Sequence, residues 1–494
     1  MNIPPSLKQT GIRIVAVSLV KVMGLTGRII LTRVAGPEGI GLFQIAYSYF
    51  GFVLMLITGG LPTSLGMYTA RHPELGWFWF KRLSTLLSLI GATLCLLTLA
   101  YSSTISTWLG NPILEPFIRS LSLAIFIVPI LSLLRGYLQG LEHYGAIAVS
   151  ELIEQAVRIG LMLGITWLWL PQGVYYAVGR SLIGTAVGGL AAFVVLLFFL
   201  RHIGQKNEIH HRVPSGKSDG LWFITSSLFI SATRLLIPFS DMLDAVIIPS
   251  RLQTAGYTSA QATAMYGLLM GMAMLVVYMP TIVTSAISHT LTMKLVLSWQ
   301  ERRYDDFANK SRKAMEMVWI WGITSSFFLW IFNRDLSQLL FHSTQTAELI
   351  SLLSIIPLLV GLREVSTSIL WAMDNKKISL IGTTVGITAA TLAHYYLIPL
   401  DEFHLRGAVT GVVLMELIIM AGNLIGLRHI LKNIRIGRLT VHVLVVVAIS
   451  ALVIWLREWT TLPVNSLNYA ILPNILLFFL LTGSYLMFCY RSKS

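Results

Sequence analysis

Apolar runs of about 20 residues recur from one end of this 494-residue chain to the other, and they decide what it can fold into. A helix of about 20 residues crosses a hydrocarbon core of about 30 Å. The composition agrees, since 55% of the residues are hydrophobic, 12% are charged and the mean hydropathy is +0.74. A soluble globular chain is excluded. The sequence therefore predicts an all-α membrane protein with no sizeable soluble domain.

Hydropathy windows place about fourteen transmembrane helices along the chain. They cover residues 11–32, 40–68, 82–103, 117–140, 146–170, 175–200, 219–248, 262–290, 314–333, 348–372, 378–400, 405–430, 439–457 and 468–489. The predicted domains are an N-terminal lobe (helices 1–6, residues 1–205), a cytoplasmic linker (206–218), a C-terminal lobe (helices 7–12, residues 219–432) and two additional helices (433–494).

Basic residues orient the predicted helices. The net charge is +14, but Lys and Arg are spread over short loops rather than gathered into one patch, so no nucleic-acid partner is indicated. Most of the 36 Lys and Arg residues fall on one side of the predicted helices, and such residues resist translocation. Since the number of helices is even, we predict a multi-pass protein of the cell membrane with both termini cytoplasmic.

Two short matches indicate an internal duplication. The stretch Pro129–Arg135 in the fourth helix has the Pro-to-Arg spacing of Pro357–Arg363 in the tenth, and Leu61-Pro62 in the second resembles Met279-Pro280 in the eighth. Both pairs relate helix n to helix n+6, as in transporters with parallel repeats. This predicts two pseudo-symmetric six-helix lobes around a central cavity. The candidate hinges are Pro62, Pro129, Pro280 and Pro357, although a proline kink is also ordinary helix packing.

Several charged residues fall inside predicted helices, where each costs at least about 2.5 to 3.5 kcal/mol unless it faces a cavity or a partner. Lys21 and Arg28 lie seven residues apart on one helix face. Arg234 and Asp241 repeat that spacing, with Asp244 one turn further. The two aspartates are candidate counter-charges to Arg234 or ligands for a coupling ion.

Two further predicted helices carry charged residues, for which packing between helices is weighed against contact with a substrate. Glu154 and Arg158 have the four-residue spacing of an ion pair, so locking the fifth helix to its neighbours is at least as good an explanation as substrate contact. Arg363 and Glu364 lie mid-depth in the tenth helix, and Arg363 has no obvious counter-ion on its own face. A cavity role is favoured for Arg363.

Motifs for catalysis and nucleotide hydrolysis are missing. No G-x-x-x-x-G-K-[ST] sequence occurs, so the chain does not hydrolyse ATP by a phosphate-binding loop. The glycine-rich stretch 36–41 lies between two predicted helices and is interpreted as a turn. There is no sizeable extramembrane domain and no His/Asp catalytic pair, so we predict a protein that is not an enzyme and has no cofactor or metal.

Five stretches carry a resemblance to a known family, and they span the first eight helices. They are Gly24–Gln44, Leu134–Gly140, Ser150–Arg158, Asp244–Leu252 and Met279–Thr284. With these stretches the chain resembles the stage V sporulation protein B group of polysaccharide exporters. The related lipid II flippases carry arginines in the first, second and eighth helices; here Lys21 is similar to the first of these, Gly27-Arg28 stands where an Arg-Asp pair is usual, and the second and eighth helices have no central Arg.

The resemblance implies a flippase of the multidrug/oligosaccharidyl-lipid/polysaccharide superfamily, acting as a monomer on a polyprenyl-diphosphate-linked sugar for cell-wall or spore-cortex synthesis. Energy would come from the membrane potential or a monovalent cation. The alternatives are a cation-coupled multidrug exporter and a non-transporting membrane scaffold. The headgroup cavity would be lined by Lys21, Arg28, Arg158, Arg234 and Arg363, with Asp241, Asp244, Glu154 and Glu364 as coupling-ion ligands or counter-charges.

Overall fold

Every regular element that the computed structural model describes is helical, over residues 5–204, 218–432, 436–460 and 471–491. The first ten helices are α1 Pro5–Thr58, α2 Leu61–Arg71, α3 Pro73–Ala100, α4 Ser102–Trp108, α5 Glu115–Gly140, α6 Tyr144–Trp169, α7 Val174–Ser181, α8 Ile183–Gly204, α9 Ser218–Thr254 and α10 Ser259–Tyr266. The others are α11 Met274–Val277, α12 Thr281–Gln300, α13 Tyr304–Ile331, α14 Asn333–Phe341, α15 Ala347–Leu352, α16 Ile356–Ala372, α17 Lys376–Leu397, α18 His404–Gly426, α19 Arg428–Leu431, α20 Ile436–Thr460 and α21 Ile471–Arg491.

The predicted all-α membrane architecture is confirmed. Within the described residues, nine helical stretches are long and apolar enough to cross a membrane by length and composition. Each predicted segment overlaps a helix, but several are built from two pieces; the segment 175–200, for example, is α7 followed by α8. The exact number of crossings stays a prediction, as does the cytoplasmic placement of the termini.

The first two predicted helices correspond to two helical arms of α1, which a single non-helical residue, Gly36, separates. At about 1.5 Å per residue, its 54 residues would extend about 80 Å if straight, far more than a bilayer core. Gly36 has φ 67° and ψ −177°, a conformation that side-chain-bearing residues avoid, and it precedes Pro37, which disfavours helical backbone at the residue before it. The predicted turn is therefore a one-residue break between two helical arms.

The chain divides into two compact units. The first comprises Met1–Gln253 and Tyr257–Gly267, and the second comprises Thr254–Gly256 and Leu268–Ser494. The division into lobes at the linker stays a prediction, and the linker lies outside the described residues except for Ser218.

Three of the four candidate hinge prolines lie at the start of a helix. Pro62 and Pro357 occupy the first turns of α2 and α16, and Pro280 immediately precedes α12. A missing N–H is harmless there because the first turn has no internal acceptor for it. Of these four, only Pro129 lies in the interior of a helix, beyond its first turn. Their role as hinges stays a prediction.

Small residues let α2 and α5 approach closely in the first unit. A Cβ atom added to Gly136 would overlap the carbonyl oxygen of Pro62, and one added to Gly140 would lie 2.6 Å from the carbonyl oxygen of Gly66. This pattern of small residues four apart is the usual means of close helix packing in membranes, where no hydrophobic force holds helices together.

Gly136→Ala should destabilise the protein by about 1 to 3 kcal/mol, because the added methyl group meets backbone that cannot move aside without separating the helices. Gly160→Ala is the matched control, since Gly160 is also inside a helix and has open space around its Cβ position. Thermal unfolding of the purified variants in detergent measures both. Equal melting temperatures for the two variants would contradict the close α2–α5 contact.

The second unit has a core formed by α12, α13, α16 and neighbouring helices. Leu295, Phe307, Val318, Val365 and Ile369 are at its centre, each exposed by 1% or less. This packing holds the polar faces of α12 and α16 in fixed register, which positions the charged residues described next.

Candidate functional site

Arg28 lies on the first arm of α1, and its side chain contacts the second arm, which follows Gly36. Its guanidinium donates a hydrogen bond to Gln44, and its Cζ atom lies 5.8 Å from the centre of the Phe43 ring. Its Nε atom is buried without a hydrogen-bond partner among the described residues. A buried donor without an acceptor is costly, and this atom is a donor only.

Acidic residues from α9 lie near Tyr266, a residue that is also close to Arg28. Tyr266 of α10 is fully buried and is close enough to Arg28, Asp241 and Asp244 to interact with all three electrostatically. Asp244 is buried, whereas Asp241 is exposed on the helix surface. The kink of α1 and the packing of α1 on α10 therefore bring one cation and two carboxylates from distant parts of the chain around one tyrosine.

Lys21 and Arg234 have exposed side chains and form no ion pair with any residue in the described ranges. The predicted contact of Arg234 with Asp241 is not formed as an ion pair, because two turns of α9 separate them. Of the predicted site cations in the first unit, Lys21, Arg28 and Arg234 therefore form no ion pair with the described residues.

Arg158 is engaged with neighbours on and beside α6. Its Nη1 lies 3.9 Å from Glu154 Oε1, at the predicted four-residue spacing, and its Nη2 donates to Gln155 Oε1 at 2.6 Å. The other oxygen of Glu154 accepts from Arg135 Nη1 at 2.8 Å. This geometry favours the packing interpretation of the Glu154–Arg158 pair.

Arg135 is a further cation of the first unit that has a carboxylate partner. It lies within α5, its side chain is 19% exposed, and it also donates to Ser150. The Pro-to-Arg spacing that Arg135 shares with Arg363 had indicated that it lies inside a helix rather than in a loop. The Glu154 partner was not visible, because it lies on the next long helix.

Arg363 also has a partner that the sequence did not indicate. Its Nε donates to Glu416 Oε2 at 2.5 Å, and the side chain of Glu416 on α18 is only 2% exposed. The other oxygen of Glu416 accepts from the Tyr278 hydroxyl at 3.1 Å. The sequence indicated no counter-ion on Arg363's own helix face, and the counter-ion in the structure comes from another helix.

Glu364 is bound by hydroxyl groups of α12. Thr284 donates to its Oε2 at 2.8 Å and Ser285 to its Oε1 at 2.9 Å. Together with the Arg363–Glu416 pair, these bonds tie α16 to α12 and α18. Arg363 and Glu364 therefore have defined packing contacts within the second unit.

Arg28, Asp241 and Asp244 thus each lie near Tyr266, and Arg158 separately contacts Glu154. Lys21 and Arg234 have exposed side chains. Arg363 contacts α18, and Glu364 contacts α12. A single cavity shared by all of them stays a prediction. Among the residues that the structure describes, no group of three His, Cys, Asp or Glu side chains is arranged to hold a metal ion.

Comparison with known families identifies the chain. The family described as polysaccharide biosynthesis protein matches residues 6–292, more than half of the sequence. The chain belongs to this family. The predicted membership in the polysaccharide branch of the flippase superfamily is confirmed.

Two curated relatives come from Bacillus subtilis (strain 168). Stage V sporulation protein B is 25% identical, over 83% of this chain and 82% of its own length. Lipid II flippase MurJ is 23% identical, over 89% of this chain and 86% of its own length.

Solved structures show which fold this is. A lipid II flippase MurJ in an inward closed conformation matches with a TM-score of 0.72, covering 97% of this chain and 98% of that chain at 15% identity. An inward-facing multidrug resistance transporter of the MATE family matches with a TM-score of 0.67, covering 83% of this chain and 94% of that chain at 15% identity. The chain is therefore a multi-pass membrane protein with the fold common to both.

Proposed function

We propose that this protein is a flippase that carries a polyprenyl-diphosphate-linked sugar from the cytoplasmic to the outer leaflet by alternating access. One observation carries the proposal: Lys21, Arg28 and Arg234 form no ion pair with the residues that the structure describes. The chain's membership in the polysaccharide biosynthesis family supports it. A cation inside a membrane helix costs free energy unless it faces a water-filled cavity or an anion.

The cargo's chemistry explains the residue types. A diphosphate-sugar headgroup cannot cross hydrocarbon without partners, while its prenyl tail can remain in lipid. Guanidinium groups bind phosphate oxygens through charge-assisted hydrogen bonds, and the buried Nε of Arg28 is such a donor. The names of the two relatives, one for lipid II flipping and one for sporulation, support a cell-wall or spore-cortex precursor as the cargo.

The reaction is a movement without a chemical change in the substrate. Alternating access requires that helical arms change their relative angle. The breaks between helices at which this could occur are at Gly36, at Gly59-Gly60 before Pro62, and at Tyr278–Pro280. Both termini would be cytoplasmic and the monomer would be the transport unit.

Flipping by the purified protein in vesicles tests the function. A fluorescent lipid-linked saccharide with a diphosphate should move between leaflets in vesicles with the protein, as measured by reduction of accessible fluorophore, and protein-free vesicles should show only slow background exchange. Transport of cationic dyes without movement of the lipid would support the multidrug alternative. Movement of neither would leave the scaffold alternative and contradict the proposal.

The membrane potential should drive net outward movement. With the cytoplasmic side negative, each negative charge moving outward gains about 2.3 kcal/mol per 100 mV. We expect net flipping to fall when an ionophore collapses the potential, and to fall further when Asp241→Asn and Asp244→Asn remove the two carboxylates near Tyr266. Asp305→Asn is the control, because Asp305 is exposed near the start of α13. Unchanged net flipping under both treatments would contradict this energy source.

A further inference from the structure

A further arginine of the first unit, Arg180 of α7, is held by two aromatic rings. Its Cζ atom lies 4.1 Å from the centre of the Trp169 ring and 4.1 Å from the centre of the Tyr176 ring. The centres of the two rings are 6.0 Å apart and their planes are inclined at 63°, so the guanidinium lies in the angle between them. It also donates a hydrogen bond to the Tyr176 hydroxyl. The side chain is therefore held in place before any ligand binds.

Arg180 has no counter-ion within the described part of the chain, where it forms no ion pair. An acidic residue does contact α7, since Glu38 of α1 accepts from the Tyr175 hydroxyl at 2.5 Å. Glu38 thus binds the neighbour of Tyr176 and leaves the charge of Arg180 without a carboxylate. A guanidinium has five N–H donors and no acceptor, so water or a ligand has to supply the acceptors that Tyr176 does not.

The surroundings of Arg180 are typical of a membrane interface. Helix α6 ends at Trp169, and Gly173, with φ 115°, precedes α7. In the last turn of α6, Trp167 is 81% exposed and Leu168 is 79% exposed. Tryptophan is enriched where membrane helices meet the layer of lipid headgroups. Because helical side chains point toward the N-terminus of their helix, Arg180 extends from α7 back to this turn.

The preference of basic residues for the cytoplasmic side does not explain Arg180. The turn between α6 and α7 joins the fifth and sixth predicted crossings, so it lies on the side opposite the N-terminus, where few of the Lys and Arg residues fall. An arginine there needs another partner. The abundant anion in the headgroup layer is the phosphate of a lipid, and a guanidinium binds phosphate through two parallel hydrogen bonds.

We infer that Arg180, Trp169 and Tyr176 form a binding site for the phosphate of a membrane lipid. The guanidinium donates to the phosphate oxygens, the two rings hold it in position, and the exposed Trp167 and Leu168 contact the lipid chains. The lipid is either a phospholipid of the bilayer or the lipid-linked cargo, since both carry a phosphate next to their chains. The inference does not depend on the transport proposal, because a phospholipid can occupy the site in a protein that flips nothing.

Native mass spectrometry of the purified full-length protein in detergent tests the site. The probe is a short-chain phosphatidylglycerol, and the diacylglycerol with the same chains is the phosphate-free comparison. The wild-type protein should bind phosphatidylglycerol about tenfold more tightly than the diacylglycerol, and Arg180→Gln should lose about tenfold in affinity for phosphatidylglycerol. Arg180→Lys should lose affinity as well, because an ammonium group does not make the paired bonds of a guanidinium.

Arg119→Gln is the matched control, since Arg119 is an exposed arginine of the same unit that is already paired with Glu115 at 3.3 Å. It should bind phosphatidylglycerol as the wild-type protein does. If Arg180→Gln does not fold, Trp169→Leu replaces it, with an expected loss of about threefold because the cation loses one ring. As a second readout, phosphatidylglycerol should raise the melting temperature of the wild-type protein and of Arg119→Gln more than that of Arg180→Gln.

Two results would overturn the inference. One is equal affinity of the wild-type protein for phosphatidylglycerol and the diacylglycerol. The other is equal affinity of the wild-type protein and the folded Arg180 or Trp169 variant for phosphatidylglycerol. Competition with an equal concentration of a short-chain prenyl diphosphate identifies the source of the phosphate. Displacement of phosphatidylglycerol assigns the site to the cargo, and retention assigns it to a bilayer phospholipid. Lipid binding at Arg180 without any flipping would contradict the transport proposal alone.

Discussion

Glu416→Ala is expected to destabilise the protein by about 3 to 5 kcal/mol, the largest stability effect that we predict. The substitution removes the carboxylate that accepts from Arg363 at 2.5 Å and from Tyr278 at 3.1 Å. It leaves a guanidinium that is 22% exposed with no counter-ion on α18. Breaking one side of a buried ion pair is costly because the remaining charge has already lost its water. Chemical denaturation of the purified protein in detergent measures the change.

Glu348→Ala is the matched control for this prediction. Glu348 also accepts from an arginine, Arg406, at 2.7 Å, but both side chains are more than 60% exposed. An exposed pair contributes about 0 to 1 kcal/mol, so its loss should be close to neutral. The double replacement Arg363→Met with Glu416→Leu should recover much of the stability, since no unpaired charge is left. Equal losses for Glu416→Ala and Glu348→Ala would contradict the buried pair.

Loss of the unpaired cations in the first unit should produce the largest effect on transport. Arg28→Gln should slow flipping of a diphosphate-linked saccharide by about 10-fold or more, since a hydrogen bond to a charged group contributes about 1.5 to 3 kcal/mol and each 1.4 kcal/mol is a factor of ten. Adding Lys21→Gln and Arg234→Gln should reduce flipping to the protein-free background. The rate in reconstituted vesicles measures both.

Arg406→Gln is the control for general charge loss, because Arg406 is exposed and paired with Glu348. It should flip the same lipid at the wild-type rate. If the triple variant folds, as judged by its melting temperature, and still flips at the wild-type rate, then these cations do not bind the cargo. A loss caused by unfolding would appear in the melting temperature and is thereby separated from a loss of binding.

Much of the fold follows from local sequence patterns. Apolar runs of membrane-spanning length predicted segments that overlap the observed helices, because a backbone in lipid must satisfy its hydrogen bonds within each helix. The break at Gly36 was visible too, since a glycine before a proline is a poor site for continuous helix. What the pattern did not show is that the break is confined to one non-helical residue, Gly36.

The charged contacts were less predictable, because several of them join different helices. Spacing along one helix identified Glu154 with Arg158, which lie 3.9 Å apart. It could not identify Glu416 as the partner of Arg363, because 53 positions separate them and only packing brings their helices together. The contacts of His442 extend over 126 positions to Glu316, for the same reason. Periodicity reports which residues share a face, and it does not report which helix that face meets.

Direct binding tests the central claim, that cations of the first unit bind the cargo's phosphates. The affinity of the purified protein should be compared for short-chain prenyl saccharides carrying a diphosphate, a monophosphate or no phosphate. The wild-type protein should prefer the diphosphate over the phosphate-free lipid by about 10-fold or more, and the Lys21→Gln, Arg28→Gln, Arg234→Gln variant should lose that preference. Equal affinity of the wild-type protein for all three lipids would contradict the claim.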